Sequence, residues 1–364
     1  MPHRIQAVLD DAVARGDAPA VVAGVIDAGG TLFQGAAGAI GPDSSCWMAS
    51  MTKPVTSVAA LQLVERGRLS LGAPIGALLP ELAAPQILEN GLLRPAKQKI
   101  TLKHLLTHTS GMSYPFASAE LTAWQRAQPN PPPPGTAEWL NVPLLFEPGT
   151  RWEYGLSTDW VGRAVEAASG VSLDEYFQQH IFAPLGMQNT GFTPGSERAV
   201  MYDRRADNSL VPQAPGPVRA PAFFSGGGGL YSTLNDYLTF LRIFLNQGGG
   251  IISPASLEAL SVNQVGTLRA GALPSVNPAF ANAADAAQGV DARWTLGFML
   301  FPVPGPAGRG AGSLSWAGAA NTYFWIDPAI NLAAAILMQV QPAGDAACVK
   351  TLTRFEQAVY AAVR

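Results

Sequence analysis

The sequence predicts an α+β fold: one antiparallel sheet flanked by N- and C-terminal helices, with a mainly helical part inserted between them. Three observations carry this expectation. Apolar residues recur at helical spacing at both ends of the chain, strand-like runs lie just inside both ends, and the middle reads as helices joined by polar or proline-rich loops. A cleft is expected where sheet and helical part meet.

The elements follow in order. Ile5, Leu9, Ala12 and Val13 give an opening helix one apolar face. VVAGVIDAGGTLFQGAAG (Val21–Gly38) reads as two short strands about the turn Ala28-Gly29-Gly30. A helix containing Lys53 comes next and stops at Gly67, a residue suited to the position just past a helix end. QPNPPPPGT (Gln128–Thr136) is neither helix nor central strand, because consecutive prolines delete the backbone donors both require. It is expected to be a rigid surface connection. In the last third, RWTLGFMLF, GSLSWAG, NTYFWIDP and INLAAAILMQV read as strands whose short connections favour antiparallel pairing. Val349, Leu352, Phe355, Val359 and Val363 share one face of a final helix. No fixed-period repeat is present. The expectation is a single domain over 1–364, with an α/β subdomain at about 1–49 and 220–364 and a helical subdomain at about 50–219.

Composition narrows the functional classes. Hydrophobic residues make up 48% of the 364 positions and charged ones 13%, a balance that excludes a disordered chain. A net charge of −3 provides no electrostatic footprint for nucleic acid or an anionic membrane. The longest apolar runs, such as Leu332–Val340, reach about half of the roughly 20 residues that span a bilayer. The N-terminal stretch MPHRIQAVLDDAVARGD carries acids at helical spacing where a secretory signal has an unbroken apolar run, so a cytoplasmic location is expected. Nothing in the pattern speaks to oligomeric state.

No metal or cofactor is expected. His104 and His108 lie one helical turn apart, but ITLKHLLTHTSGM lacks the glutamate of a H-E-x-x-H zinc helix and offers no third ligand nearby. They read as helix residues with local hydrogen bonds. Cys46 and Cys348 are far apart and lack zinc-ligand spacing; no disulfide framework is expected, and Cys46 reads as a small buried apolar residue. The absence of any G-x-S-x-G removes the nucleophile elbow of an α/β-hydrolase.

The chemistry concentrates in WMASMTKP, Trp47–Pro54. Pro54 has no N–H and is tolerated only within the first helical positions, so the helix must begin near Ser50. Free backbone N–H groups and the helix dipole there favour negative charge. Lys53, three residues on, lies on the same face and can reach the serine hydroxyl. A lysine buried at such a site gives up hydration, which favours the neutral amine that can act as a base. A serine is a weak nucleophile until a neighbour takes its proton.

SMTK followed by a helix resembles the serine β-lactamase and penicillin-binding protein superfamily, specifically class C β-lactamases and family VIII carboxylesterases. ITLKHLLTHTSGM (Ile100–Met112), FEPGTRWEYG (Phe146–Gly155), IFAPLGMQNTGF (Ile181–Phe192) and SGGGGLYSTLNDYLTF (Ser225–Phe240) are similar to family landmarks in the family's order. The resemblance implies a β-lactamase/transpeptidase-like fold, Ser50 as acyl-forming nucleophile and Lys53 as its activator. Tyr154 matches the tyrosine of the family's second motif and would exchange the serine proton, with the choice of base between Lys53 and Tyr154 left open. The amides of Ser50 and Ala319 would form the oxyanion hole, a feature worth about 3–4 kcal/mol per donor.

Two departures point away from a lactam substrate. Leu156 stands where the β-lactamase pattern has an asparagine, and Trp316-Ala317-Gly318 replaces Lys-Thr-Gly; with Leu156, Trp316 and Gly318 expected to line the substrate pocket, both changes make it more apolar. Trp-x-Gly is what family VIII esterases show, and Gly318 lets a backbone approach closely. Tyr114 and Asp159 match positions lining the esterase pocket. Gly226–Gly229 lacks the Gly-Lys-Ser/Thr of a phosphate loop and reads as close chain packing. The expected activity is hydrolysis of a small-molecule carboxylic ester through an acyl-enzyme. The alternatives are a β-lactamase or amidase, acyl transfer to a nucleophile other than water, and a silent scaffold on the same fold.

Overall fold

The computed structural model describes residues 2–363. Helix α1 (Pro2–Ala14) leads into strands β1 (Val21–Asp27) and β2 (Thr31–Ala37). Two long helices of the middle region follow, α2 (Lys53–Glu65) and α3 (Ser157–Ser169), and then α4 (Leu234–Arg242). The last third supplies β3 (Arg293–Trp294), β4 (Met299–Phe301), β5 (Ser313–Gly318), β6 (Thr322–Asp327), β7 (Leu332–Leu337) and the closing helix α5 (Ala346–Val363).

These strands form one seven-stranded sheet in the order β3-β4-β5-β6-β7-β1-β2, antiparallel throughout. The two ends of the chain meet where β1 pairs with β7, from Val22 opposite Leu337 to Asp27 opposite Leu332. Strand residues alternate between faces. Val21, Ala23 and Val25 of β1, with Leu332, Ala334 and Ile336 of β7, pack under Ile5 and Leu9 of α1 and Leu352, Phe355 and Val359 of α5. Val22, Ile26, Ala333, Ala335 and Leu337 face the opposite core, which they share with α2 and α4.

Helix α2 is buried on all sides: every residue from Lys53 to Leu63 is inaccessible. Its polar side chains, Lys53, Thr56, Ser57 and Gln62, are buried with the rest, so the helix has no solvent face and sits as the central rod between sheet and helical part. Gly67 is left-handed at φ +67 and ends it, as expected.

Three features depart from the simple pattern. RWTLGFMLF is not one strand but two, folded back so that Thr295 N–H meets the Phe298 carbonyl at 2.8 Å. Within the mainly helical middle, Gln86–Glu89 and Leu92–Pro95 form a hairpin about Asn90-Gly91, both at positive φ, the turn that Asn-Gly favours. Tyr202–Arg204 pairs with Leu210–Pro212 and with Val340–Gln341, so the chain is back beside the sheet before residue 220.

The closing helix is tied down by a buried ion pair. Arg309 donates from Nε and Nη2 to the two carboxylate oxygens of Glu356 at 2.9 and 2.8 Å, with both side chains under a tenth exposed. Removing one partner leaves a charge stranded in the interior. Glu356→Gln is expected to lower stability by about 3 kcal/mol, read as a shift in the urea unfolding midpoint at unchanged slope.

Candidate active site

The turn that carries Ser50 is built by a short bridge. Cys46–Trp47 pairs with Tyr231–Ser232, and Met48 N–H continues the register to the Leu230 carbonyl at 2.9 Å. Ala49 then takes φ +46, the left-handed region that a residue with a Cβ enters only at a cost of about 1–2 kcal/mol. This kink turns the chain into the 3₁₀ turn Ala49–Thr52, from which α2 continues with Pro54 in its first turn. Ser50 therefore stands at a helix N-terminus, where its amide precedes the helical hydrogen-bond ladder.

Three sequence-predicted residues converge on one oxygen. Lys53 Nζ lies 3.1 Å from Ser50 Oγ, and the Tyr154 hydroxyl donates to the same Oγ at 2.6 Å. Lys53 is 1% exposed. Its ammonium also donates to the Tyr114 oxygen at 3.1 Å and to the Gly227 carbonyl at 2.7 Å. Three N–H groups thus have three acceptors. Among the described residues no carboxylate lies within ion-pair distance of it. A buried cation without a carboxylate partner favours negative charge on the oxygens around it. The Tyr154 ring centroid is 4.6 Å from Nζ.

Tyr114 and Asp159 support the lysine. Desolvation holds the Tyr114 phenol well above its ordinary value, with Tyr154 and Asp159 adding to the effect, so it serves as a neutral acceptor. Asp159 accepts from the Ser225 hydroxyl at 2.5 Å and the Gly227 N–H at 3.0 Å. Burial raises its carboxyl above the usual range, opposed by the Lys53 charge and these two donors. Asp159 thereby fixes Gly227, whose carbonyl receives the lysine. A Cβ on Gly227 would stand 2.4 Å from Asp159 Oδ2, so the glycine run is close chain packing.

Trp316, Gly318 and Ala319 come from the end of β5 and the turn after it. Trp316 Nε1 donates to the Tyr154 oxygen at 3.3 Å. A Cβ on Gly318 would lie 2.3 Å from the Met48 carbonyl oxygen, so only glycine lets this strand abut the turn that carries Ser50. Ser50 and Ala319 both line a cavity of about 550 Å³. Its walls carry Phe116, Trp139, Phe223, Phe280 and Trp316, with Asp159 and Tyr114 near the floor. Leu156, expected at the wall, is 1% exposed and packs in the core instead, because it caps the start of α3 with its side chain turned inward.

A strap roofs the cavity. Val276 N–H meets the Phe116 carbonyl at 2.7 Å, Asn282 N–H the Ala343 carbonyl at 2.9 Å, and Ala343 N–H the Phe280 carbonyl at 2.9 Å. Pro134, Gly135 and Thr136 of the proline-rich connection form another edge.

The histidines divide. His104 Nδ1 accepts from Thr101 N–H in a reciprocal cap, a local hydrogen bond of the expected kind. His108 lies past the helix end at φ +55, buried under Tyr154 at 5.0 Å between ring centroids. Burial, with the Lys53 charge, pushes its imidazole well below the ordinary value and keeps it neutral. Among the described residues no three His, Cys, Asp or Glu side chains converge as a metal site. Cys46 and Cys348 are free and buried, and desolvation pushes the Cys46 thiol up to about 12. No helix of the described residues is long and apolar enough to cross a membrane.

The Beta-lactamase family model matches residues 5–358. The chain belongs to the beta-lactamase family. Its fold is the family's α+β, β-lactamase/transpeptidase-like arrangement. Among family members, it is 33% identical over 349 residues to monacolin J acid methylbutanoyltransferase of Aspergillus terreus, covering 88% of this chain and 82% of that protein. It is 34% identical over 317 residues to lovastatin esterase of Penicillium rubens, covering 80% and 78%. The solved structure of simvastatin synthase (LovD) from Aspergillus terreus superimposes with a TM-score of 0.82 at 28% identity, covering 98% of this chain and 97% of that one.

The packing at Gly227 generates a test. Gly227→Ala is expected to push the loop off Asp159 and withdraw the carbonyl from Lys53, lowering the rate of Ser50 labelling by a fluorophosphonate at least tenfold. Circular dichroism is expected to show the fold retained.

Proposed function

We propose that this chain is a serine esterase that acylates Ser50 and releases the acyl group to water. The observation that carries the reading is the Ser50 hydroxyl, held by Lys53 Nζ at 3.1 Å and by the Tyr154 hydroxyl at 2.6 Å on the floor of an apolar cavity. Lys53 spends its donors on three acceptors, which leaves Tyr154, in the phenolate form reached once its own proton has gone to solvent, as the group that takes the serine proton. Ser50 Oγ then bonds to the ester carbonyl carbon, and the oxyanion that forms faces the amides of Ser50 and Ala319. On collapse the ester C–O bond breaks and Tyr154 returns the proton to the departing alkoxide. Water repeats the sequence against the acyl-enzyme, with Tyr154 taking its proton and Ser50 leaving.

The walls favour a neutral, bulky ester. Trp316 stands where a lysine would draw an anionic group, and 550 Å³ suits a drug-sized ligand rather than a short acyl chain alone. The cavity also turns a corner. Trp316 and Ala317 point to opposite faces of β5, yet both line it, together with Tyr323, Val349 and Leu352 behind the sheet. Strand β4 pairs only with Ser313–Ser315, so beside Trp316 and Ala317 the strand has no partner on that edge, and a substituent passes there. The esterase relative in Penicillium rubens supports this reading.

Acyl transfer to an alcohol is the second reading. The methylbutanoyltransferase relative favours it, and the same acyl-enzyme would serve. Ser50→Ala is expected to cut p-nitrophenyl butyrate hydrolysis at least a thousandfold, and mass spectrometry of the wild type is expected to place the acyl adduct on Ser50. Full activity in the variant would end the proposal. Added alcohol that diverts most product into a new ester would favour transfer over hydrolysis. Ala317→Trp is expected to lower the ratio of kcat/KM for a decanoate over a butyrate ester about tenfold.

A further inference from the structure

One donor in the cavity wall has no part in the proton transfers above. Trp316 Nε1 donates to the Tyr154 oxygen at 3.3 Å, and the residue is 5% exposed. A buried indole N–H needs an acceptor, and Tyr154 is the one it meets. Its aim is fixed from two sides. Trp294 meets the Trp316 ring edge-on at 4.7 Å and 86°, and is itself pinned by its own N–H to the Leu106 carbonyl at 3.1 Å. The register of β5, with Trp316 opposite Phe324, turns the ring toward the turn that carries Ser50, where the Tyr154 ring lies 4.8 Å away.

The Tyr154 oxygen is therefore bracketed. It faces Ser50 Oγ on one side at 2.6 Å and the indole N–H on the other. The remaining titratable neighbours are Lys53, Tyr114 at 5.3 Å between centroids, and His108, which burial keeps neutral. Of these only Lys53 carries positive charge, and its N–H groups go to Ser50, Tyr114 and Gly227 rather than to Tyr154.

We propose that Trp316 is a positioning residue for the base: its indole N–H holds the Tyr154 oxygen against Ser50 and stabilises negative charge on it. A neutral donor does this without attracting an anionic substrate. The inference rests on the reading of Tyr154 as the group that takes the serine proton. Removing a hydrogen bond to a charged acceptor costs a factor of roughly ten to a hundred in rate.

The test compares wild type with Trp316→Phe and with a chain carrying β-(3-benzothienyl)alanine at 316, which keeps the bicyclic shape and lacks the N–H. Fluorophosphonate labelling of Ser50 is followed alongside kcat and KM for p-nitrophenyl butyrate. Both variants are expected to lose about ten- to a hundredfold in labelling rate and kcat, with KM within about twofold. A fallen kcat and labelling rate beside an unchanged KM separates loss of the N–H donor from loss of pocket shape. A benzothienyl chain with the wild-type labelling rate and kcat would overturn the inference while leaving the esterase reading intact, as would a loss confined to KM. A wild type that neither labels nor turns over an ester would overturn the reading beneath it.

Discussion

A buried ammonium organises this molecule. Lys53 is enclosed by the first turn of a helix with no exposed face, and its three N–H groups are taken by a serine, a tyrosine and a backbone carbonyl. None of these is a formal anion; the buried Asp159 carboxyl behind Gly227 feels the ammonium, and the oxygens of Ser50 and Tyr154 lie beside it. The surrounding structure serves this arrangement. Asp159 secures the loop that offers the carbonyl, the kink at Ala49 presents the serine, and the end of β5 closes against Met48.

The aromatic cluster beside the trio gives the pocket its second property. His108, Trp152, Trp294 and Trp316 form a continuous assembly of edge-to-face and tilted rings that ends on Tyr154. It lines one side of the Ser50–Tyr154 pair with rings and presents the Trp316 N–H to the Tyr154 oxygen. Ser50, Lys53 and Tyr154 are thus held in a setting of low dielectric, where short hydrogen bonds carry more weight than they would in water.

Much of this was legible in the sequence because it rests on local rules. Pro54 located the helix start, the three-residue spacing put Lys53 beside Ser50, and alternating apolar runs separated by turn residues marked β1, β2 and the last strands. What escaped depends on contacts between distant segments. The Gly227 carbonyl has no side-chain signature, and Tyr114 as a lysine acceptor required knowing that residue 114 folds back over α2. Leu156 is buried although its neighbour Tyr154 faces the pocket, because the chain turns into α3 between them, a turn its sequence position does not announce. The hairpin at Asn90-Gly91 is different: its turn signal is local, but it lies within a region whose other segments are mostly helical.

The strap over the cavity is anchored by peptide groups, from Val276 to Phe116 and between Phe280–Asn282 and Ala343. Backbone anchors are indifferent to which side chains hang from them. The roof can therefore exchange residues that touch a guest molecule without loosening its own attachments, and none of those exchanges reaches Ser50, Lys53 or Tyr154. Selectivity and reactivity are in this way inherited separately, and a lineage could drift from one guest to another while its chemistry stayed still.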